Sequence, residues 1–199
     1  MNNNNAFKIN AFQDFKTHLI ICENIFENPS QIREHALQQY TYSTRKAYAY
    51  VCDKGFISGD MLLFFSCLLK MDVLLKAYHY LFIPNGFTKF PHRDNNVISG
   101  KQSDIPIASV IYLNPELNEI NYTAFYEKFI GDITNDQYPT EVTSFVGNRY
   151  NKCVLYDGSV VHAPGNGFGN NVNKPQDIRL NSTHFIDASH PVNNIKPTK

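Results

Sequence analysis

The chain has 199 residues, 43% of them hydrophobic and 14% aromatic, with 12 Tyr, 15 Phe and no Trp. That length buries one sizeable core, and the composition is globular and rich in β-favouring side chains, which excludes a disordered chain. Eighteen basic residues balance eighteen acidic ones, so the uniform phosphate attraction of a sequence-independent nucleic-acid binder is missing.

The first ten residues, opening MNNNN, read as a frayed end and lack the basic segment and apolar core of a secretory signal. A short apolar strand is expected over His18–Cys22. A helix follows, with Asn28 as its cap, Pro29 at the first helical position and Gln31 three residues after the cap. Ile32, Ala36, Leu37 and Tyr40 fall along one face of it. A second helix is expected from Ser58 or Gly59 through Leu75, apolar on most sides and therefore packed against a sheet. Its most apolar stretch, Met61–Leu69, stops at Lys70 and Asp72, far short of the ~20 residues of a membrane span.

From Ala77 the texture changes to short β-like runs. Tyr78, Tyr80 and Phe82 alternate along a strand that ends at the turn Pro84-Asn85-Gly86. Further strands are expected at Ile107–Leu113, Thr123–Tyr126, Cys153–Tyr156, Val160–His162 and Arg179–Ile186. Several short strands at irregular spacing predict a mainly β fold with supporting N-terminal helices, an antiparallel barrel or jelly roll. Nothing marks a domain boundary, so residues 1–199 read as a single domain with its β core over 77–187. Asn95–Asp104 and Gly165–Lys174 read as mobile loops. Cys22, Cys52, Cys67 and Cys153 are scattered with no CxxC pair, which argues against a structural zinc site and fits reduced, mostly buried thiols in a cytoplasmic protein.

The chemistry concentrates at His92-Arg93-Asp94. Alternate residues of an extended segment share a face, so His92 and Asp94 can converge while Arg93 points away. An imidazole and a carboxylate at one point form two-thirds of the two-His, one-carboxylate site that holds ferrous iron with open positions beside it. His162, at the end of a strand-turn-strand run beginning at Val154, is the candidate second His. The short HxD pattern also fits a surface His beside a solvated Asp, but its position between a Pro turn and a polar loop places it at a strand end. Arg179 opens a strand on which Arg179, Asn181 and Thr183 share a face. A buried guanidinium there needs an anion, either an internal acid such as Asp157 or Asp177 or the distal carboxylate of a dicarboxylic acid. His79 alternates away from Tyr78 and Tyr80 and His184 away from Arg179, neither with a neighbour at ligand spacing, and His18, His35 and His190 read as surface or cap residues.

Taken in order, these motifs resemble the iron(II)/2-oxoglutarate-dependent dioxygenase superfamily, especially its prolyl-hydroxylase-like branch. The resemblance runs through the Pro84-Asn85-Gly86 turn, His92-x-Asp94, the Val110-Ile111-Tyr112-Leu113-Asn114 strand, Thr123-x-Phe125, Val154-Leu155-Tyr156, His162 and Arg179. It implies a double-stranded β-helix (jelly roll, cupin-like), with Fe(II) held by His92, Asp94 and His162 as the catalytic centre. It also implies 2-oxoglutarate on the metal, its far carboxylate held by Arg179 and the Tyr112 phenol, with Asn181 or Thr183 assisting and Tyr80 within reach. Ile120-Asn121-Tyr122 replaces the branch's paired glycines, Ile83 stands where a Tyr is frequent, and the gap from His162 to Arg179 is wide. The implied reaction consumes dioxygen and 2-oxoglutarate, releases succinate and CO2, and hydroxylates a small molecule, an amino acid or a peptide side chain. Asp94 keeps the carboxylate position filled, so a halide finds no ligand site there. A non-catalytic jelly-roll binding protein and a metal-dependent hydrolase using the same ligands are the rival classes.

Overall fold

The computed structural model describes residues 12–14, 19–46, 49–53, 55, 59–69, 71–87, 91–94, 107–115, 118–126 and 141–191. The expectations for residues 1–10, for His18, for Ser58 and for the loop over 95–104 lie outside them.

Strands β1 (Phe12–Asp14) and β2 (Leu19–Glu23) precede helix α1 (Pro29–Gln39). The Asn28 side chain accepts a hydrogen bond from the backbone N–H of Gln31 at 3.4 Å, so the expected cap forms, and Ile32 and Ala36 are buried. A 3-10 turn at Tyr40–Tyr42, short strands β3 (Thr44–Arg45) and β4 (Tyr50–Cys52) and helix α2 (Gly59–Leu69) follow. The remaining strands are β5 (Met71–Ile83), β6 (Ile107–Tyr112), β7 (Asn118–Tyr126), β8 (Val142–Asn148), β9 (Lys152–Asp157), β10 (His162–Pro164) and β11 (Arg179–Pro191).

Helix α2 ends at Leu69 rather than continuing to Leu75. Residues 71–75 join β5 instead, where Leu75 pairs with Ile186, Leu74 with Asp187 and Met71 with Pro191. Long-range sheet pairing overrides the local helical period there. Strand β8 is not among the strands expected from the sequence; Val142 and Phe145 are exposed there, so burial alternates only weakly.

Two antiparallel sheets result. The larger has the order β1-β2-β9-β6-β11-β5-β4-β3, and the smaller β10-β7-β8. Strand alternation splits the apolar residues of the larger sheet into two sets. One set (Tyr80 and Phe82 of β5, Ile111 of β6, Cys153 and Leu155 of β9, Leu180 of β11) packs against Phe65 and Met61 of α2 and Ile32 and Ala36 of α1. The other (Val110 and Tyr112 of β6, Val154 and Tyr156 of β9, Phe185 of β11) packs against Phe125 and Val146 of the smaller sheet. The helices therefore cover one face of the larger sheet and leave the other turned toward the smaller sheet.

Cys22, Cys52 and Cys153 are buried free thiols, while Cys67 is exposed. Burial pushes the Cys22 thiol up to about 11 and Cys153 well above its usual range. Among the described residues no helix is long and apolar enough to cross a membrane.

Phe65 is the α2 side chain that locks the helix onto the sheet, 1% exposed and with its ring 5.8 Å from that of His184. Phe65→Ala is expected to cost about 3–5 kcal/mol in urea unfolding, the range for emptying a buried aromatic site. A cost below about 1 kcal/mol would mean that α2 is not docked as described.

Candidate metal centre and its cavity

Backbone pairing assembles the first cluster. His92 and His162 exchange both backbone hydrogen bonds, His92 N–H to His162 O at 2.9 Å and His162 N–H to His92 O at 3.0 Å. This bridge lays the His92 segment alongside β10 and puts the two imidazoles on one face, ring centroids 4.3 Å apart. Asp94 lies two residues on and returns to that face. Its N–H donates to Gly158 O at 2.8 Å, in the turn between β9 and β10. Asp157 closes that turn: its carboxylate accepts from Ser159 N–H at 2.8 Å and its carbonyl from Val160 N–H at 2.8 Å.

The three expected residues thus converge. One ligand atom from each of His92, Asp94 and His162 lies within 4.8 Å of the others. Asp94 and His162 are buried, and the His92 side chain is 19% exposed. His162 Nε2 lies 3.3 Å from one Asp94 oxygen and His92 Nε2 3.6 Å from the other. Donors about 2.1 Å from a common ion stand roughly 3.0–3.5 Å from each other, so the two His–Asp separations are close to those of a shared small cation, onto which the set would close from a spread of up to 4.8 Å. The His162 tautomer fits too. Its Nδ1 faces the carbonyl of Val160 at 3.1 Å, and a carbonyl only accepts. The ring proton therefore sits on Nδ1, and in the neutral ring Nε2 offers a lone pair toward Asp94.

These residues open onto a cavity between the sheets, which Asn181 and Thr183 of β11 also line. Its apolar walls come from Leu81 and Ile83 of β5, Val110 of β6 and Phe185 of β11. Among the described residues, no Lys, Arg or Glu lines it; Arg179 is buried beside it, paired with the lining residue Ile83 and two positions before the lining residue Asn181.

Arg179 begins the inward face of β11 and is fully buried. Its Nη1 donates to the carbonyls of Gly165 and Asn166 at 3.2 and 3.3 Å. Nε and Nη2 have no hydrogen-bond partner among the described residues, and neither does Asn181 Oδ1. Neither internal acid serves Arg179, since Asp157 is engaged in its own turn and the exposed Asp177 makes no ion pair with it. Burial lowers the guanidinium pKa, partly offset by Tyr112, yet arginine stays charged in proteins. A buried cation with two idle donor nitrogens is a socket for an anion.

The segment 165–174, expected to be mobile, is seated against this region. Gly167 packs on the backbone carbonyls of Ile83 and Pro84 with no room for a Cβ, and Gly169 adopts φ +81° against Asp177. That packing holds the two carbonyls on Arg179.

Two further expectations need placing. Tyr112 reaches the smaller sheet, where its hydroxyl meets Thr123 Oγ1 at 2.8 Å and donates to Val146 O at 3.2 Å. Its ring lies 5.9 Å from the Arg179 guanidinium carbon. Tyr80 does not join the site. Arg179 pairs with Ile83, Asn181 with Leu81 and Thr183 with His79, so the odd-numbered residues of β5 face the cavity. Tyr80 faces the helices, its hydroxyl 2.9 Å from His35 Nδ1. His79, by contrast, lines the cavity, its ring 5.5 Å from that of Phe185. Tyr156 and Thr123 line it as well; the sequence signal was their shared parity with residues already singled out, Tyr156 with Val154 and Thr123 with Phe125.

No family model matches this sequence, and no curated protein matches it. Solved structures do. The non-heme alpha ketoglutarate dependent epimerase SnoN from nogalamycin biosynthesis superposes with a TM-score of 0.66 at 12% identity, covering 92% of this chain and 86% of SnoN. HygX from Streptomyces hygroscopicus, solved with nickel, 2-oxoglutarate and hygromycin B bound, gives 0.58 at 11% identity, covering 87% and 84%. A 2OG-Fe(II) oxygenase-family oxidoreductase from Burkholderia pseudomallei gives 0.59 at 10% identity, covering 88% and 87%. The fold is a jelly roll, the double-stranded β-helix. At these identities the likeness speaks for the architecture, and the chemistry is argued from the cavity.

Replacing an uncompensated buried charge by an apolar side chain of similar length is neutral or stabilising. Arg179→Met is therefore expected to unfold in urea within about 1 kcal/mol of the parent or above it. A loss of about 3 kcal/mol or more would mean that Arg179 is stabilised by more than the Gly165 and Asn166 carbonyls.

Proposed function

We propose that this chain is an Fe(II)- and 2-oxoglutarate-dependent oxygenase that hydroxylates a small molecule, an amino acid or a peptide side chain, releasing succinate and CO2. The observation that carries the reading is the pairing, within one jelly roll, of a buried His92–Asp94–His162 donor set with a buried guanidinium that lacks an acid. A hydrolase acting on an uncharged substrate needs the first and not the second. SnoN and HygX have this architecture, and HygX was solved with nickel and 2-oxoglutarate.

His92, Asp94 and His162 would hold the metal from one side and leave adjacent positions open. When bound, the iron and its co-substrate supply the oxidising chemistry: dioxygen decarboxylates 2-oxoglutarate and a substrate C–H bond is oxidised. Arg179 would take the far carboxylate through Nε and Nη2, two parallel donors that Lys cannot imitate. The Tyr112 ring lies 5.9 Å from that guanidinium, and its hydroxyl, held here by Thr123 and Val146, would serve the same carboxylate by turning its proton from Val146. Asn181 adds an idle amide oxygen for a donor in the same cavity. The walls formed by Leu81, Ile83, Val110 and Phe185 exclude water and suit an uncharged part of the substrate near the metal. SnoN is an epimerase, so product analysis is what separates hydroxylation from another oxidative outcome here.

The assignment is tested by succinate release in a substrate screen. His162→Ala and Asp94→Ala are each expected to abolish iron-dependent succinate formation, whereas Arg179→Met is expected to raise the 2-oxoglutarate KM by roughly 10-fold or more, the loss of about 1.4 kcal/mol or more of charge-assisted binding. Unchanged turnover in either triad variant would sink the proposal.

A further inference from the structure

Tyr156 has a place in the cavity that neither the donor set nor the anion socket accounts for. It stands on the inner face of β9, is 3% exposed, and packs edge-on against Phe125 with ring centroids 5.2 Å apart. Its hydroxyl donates to Asp94 Oδ2 at 3.1 Å and lies 3.0 Å from His162 Nε2. With the Asp94–His162 separation of 3.3 Å, the three atoms form a nearly equilateral triangle inside the candidate metal centre.

The proton count in that triangle is informative. A neutral His162 carries its proton on Nδ1, toward Val160, so Nε2 can only accept. Asp94 can only accept. One hydroxyl proton therefore serves two acceptors, and a cation taking the Nε2 lone pair would leave the hydroxyl to Asp94 alone.

We propose that Tyr156 is a positioning residue of the metal centre, donating its hydroxyl proton to the Asp94 carboxylate so that one carboxylate oxygen is held for the ion. The second carboxylate oxygen then has a fixed partner, which opposes rotation of the Asp94 side chain and chelation through both oxygens. The fold supports the arrangement: β9 carries Tyr156 while the turn that follows it carries Gly158, whose carbonyl binds the Asp94 N–H. Side chain and backbone of Asp94 are thus held by a single strand and its turn. This inference rests on the reading of His92, Asp94 and His162 as metal ligands.

The test is anaerobic titration of the full chain and of Tyr156→Phe with Co(II), without 2-oxoglutarate, following affinity and the visible ligand-field spectrum. Tyr156→Phe is expected to bind Co(II) roughly 10- to 100-fold more weakly, with an altered spectrum and unchanged far-ultraviolet circular dichroism. Equal affinity and an identical spectrum would overturn the role of Tyr156 while leaving the triad intact. A parent protein that takes up no Co(II) would overturn the triad itself, and the inference with it. Should Tyr156→Phe not fold, proton NMR of the Co(II)-loaded parent decides. An exchangeable, paramagnetically shifted proton beyond those of the two imidazoles is expected, and its absence overturns the proposal.

Discussion

The reciprocal backbone hydrogen bonds between His92 and His162 are the constraint on which the site depends. They tie a segment between β5 and β6 to the short strand β10, and so bring residues seventy positions apart to one register. Once that pair is set, the rest follows from strand geometry. Asp94 shares the face of His92 because it is two residues on, and its own N–H is caught by the turn that leads into β10. Side-chain chemistry is thereby delivered by main-chain hydrogen bonds, which tolerate sequence change better than packing does. That tolerance accounts for a recognisable architecture at 12% identity or less with no sequence-level match.

The second organising feature is polarity left uncompensated between the sheets. A buried guanidinium with two idle donors, a buried amide oxygen without a partner, and an acceptor-rich Asp–His pair are each unfavourable in an isolated chain. Arg179 and Asn181 occupy the face of the larger sheet turned away from the helices, and the Asp94–His162 pair stands at β10 of the smaller sheet, while the opposite face of the larger sheet carries the apolar contacts with α1 and α2. Helix packing and chemistry are therefore assigned to opposite faces of the same strand. In β11, Leu180 and Ile186 serve the core, while Arg179 and Asn181 serve the site.

That division explains which parts were legible in the sequence. His92 and Asp94 could be read because alternation holds wherever an extended segment lies in the fold, and Arg179 and Asn181 followed by the same parity. Tyr80 was misplaced because parity alone does not say which side of a strand faces the cavity. The pairing of Arg179 with Ile83 decides it, and that register comes from contacts nearly a hundred residues apart. The same register admits His79, whose opposite parity to Tyr80 made it look incidental. Residues 71–75 carried a local helical pattern that sheet pairing overrode. Tyr156 was visible as a strand residue, but its approach to Asp94 depends on how the turn at Gly158 folds back, which no spacing reveals.

The central claim is that one cavity holds both a metal and a 2-oxoacid that chelates it. Anaerobic addition of Fe(II) and then 2-oxoglutarate to the protein, followed by visible absorption, tests that claim most directly. The account predicts a metal-to-ligand charge-transfer band that appears only with both components and disappears in Asp94→Ala. Iron bound at full occupancy with no such band on saturation with 2-oxoglutarate would contradict it.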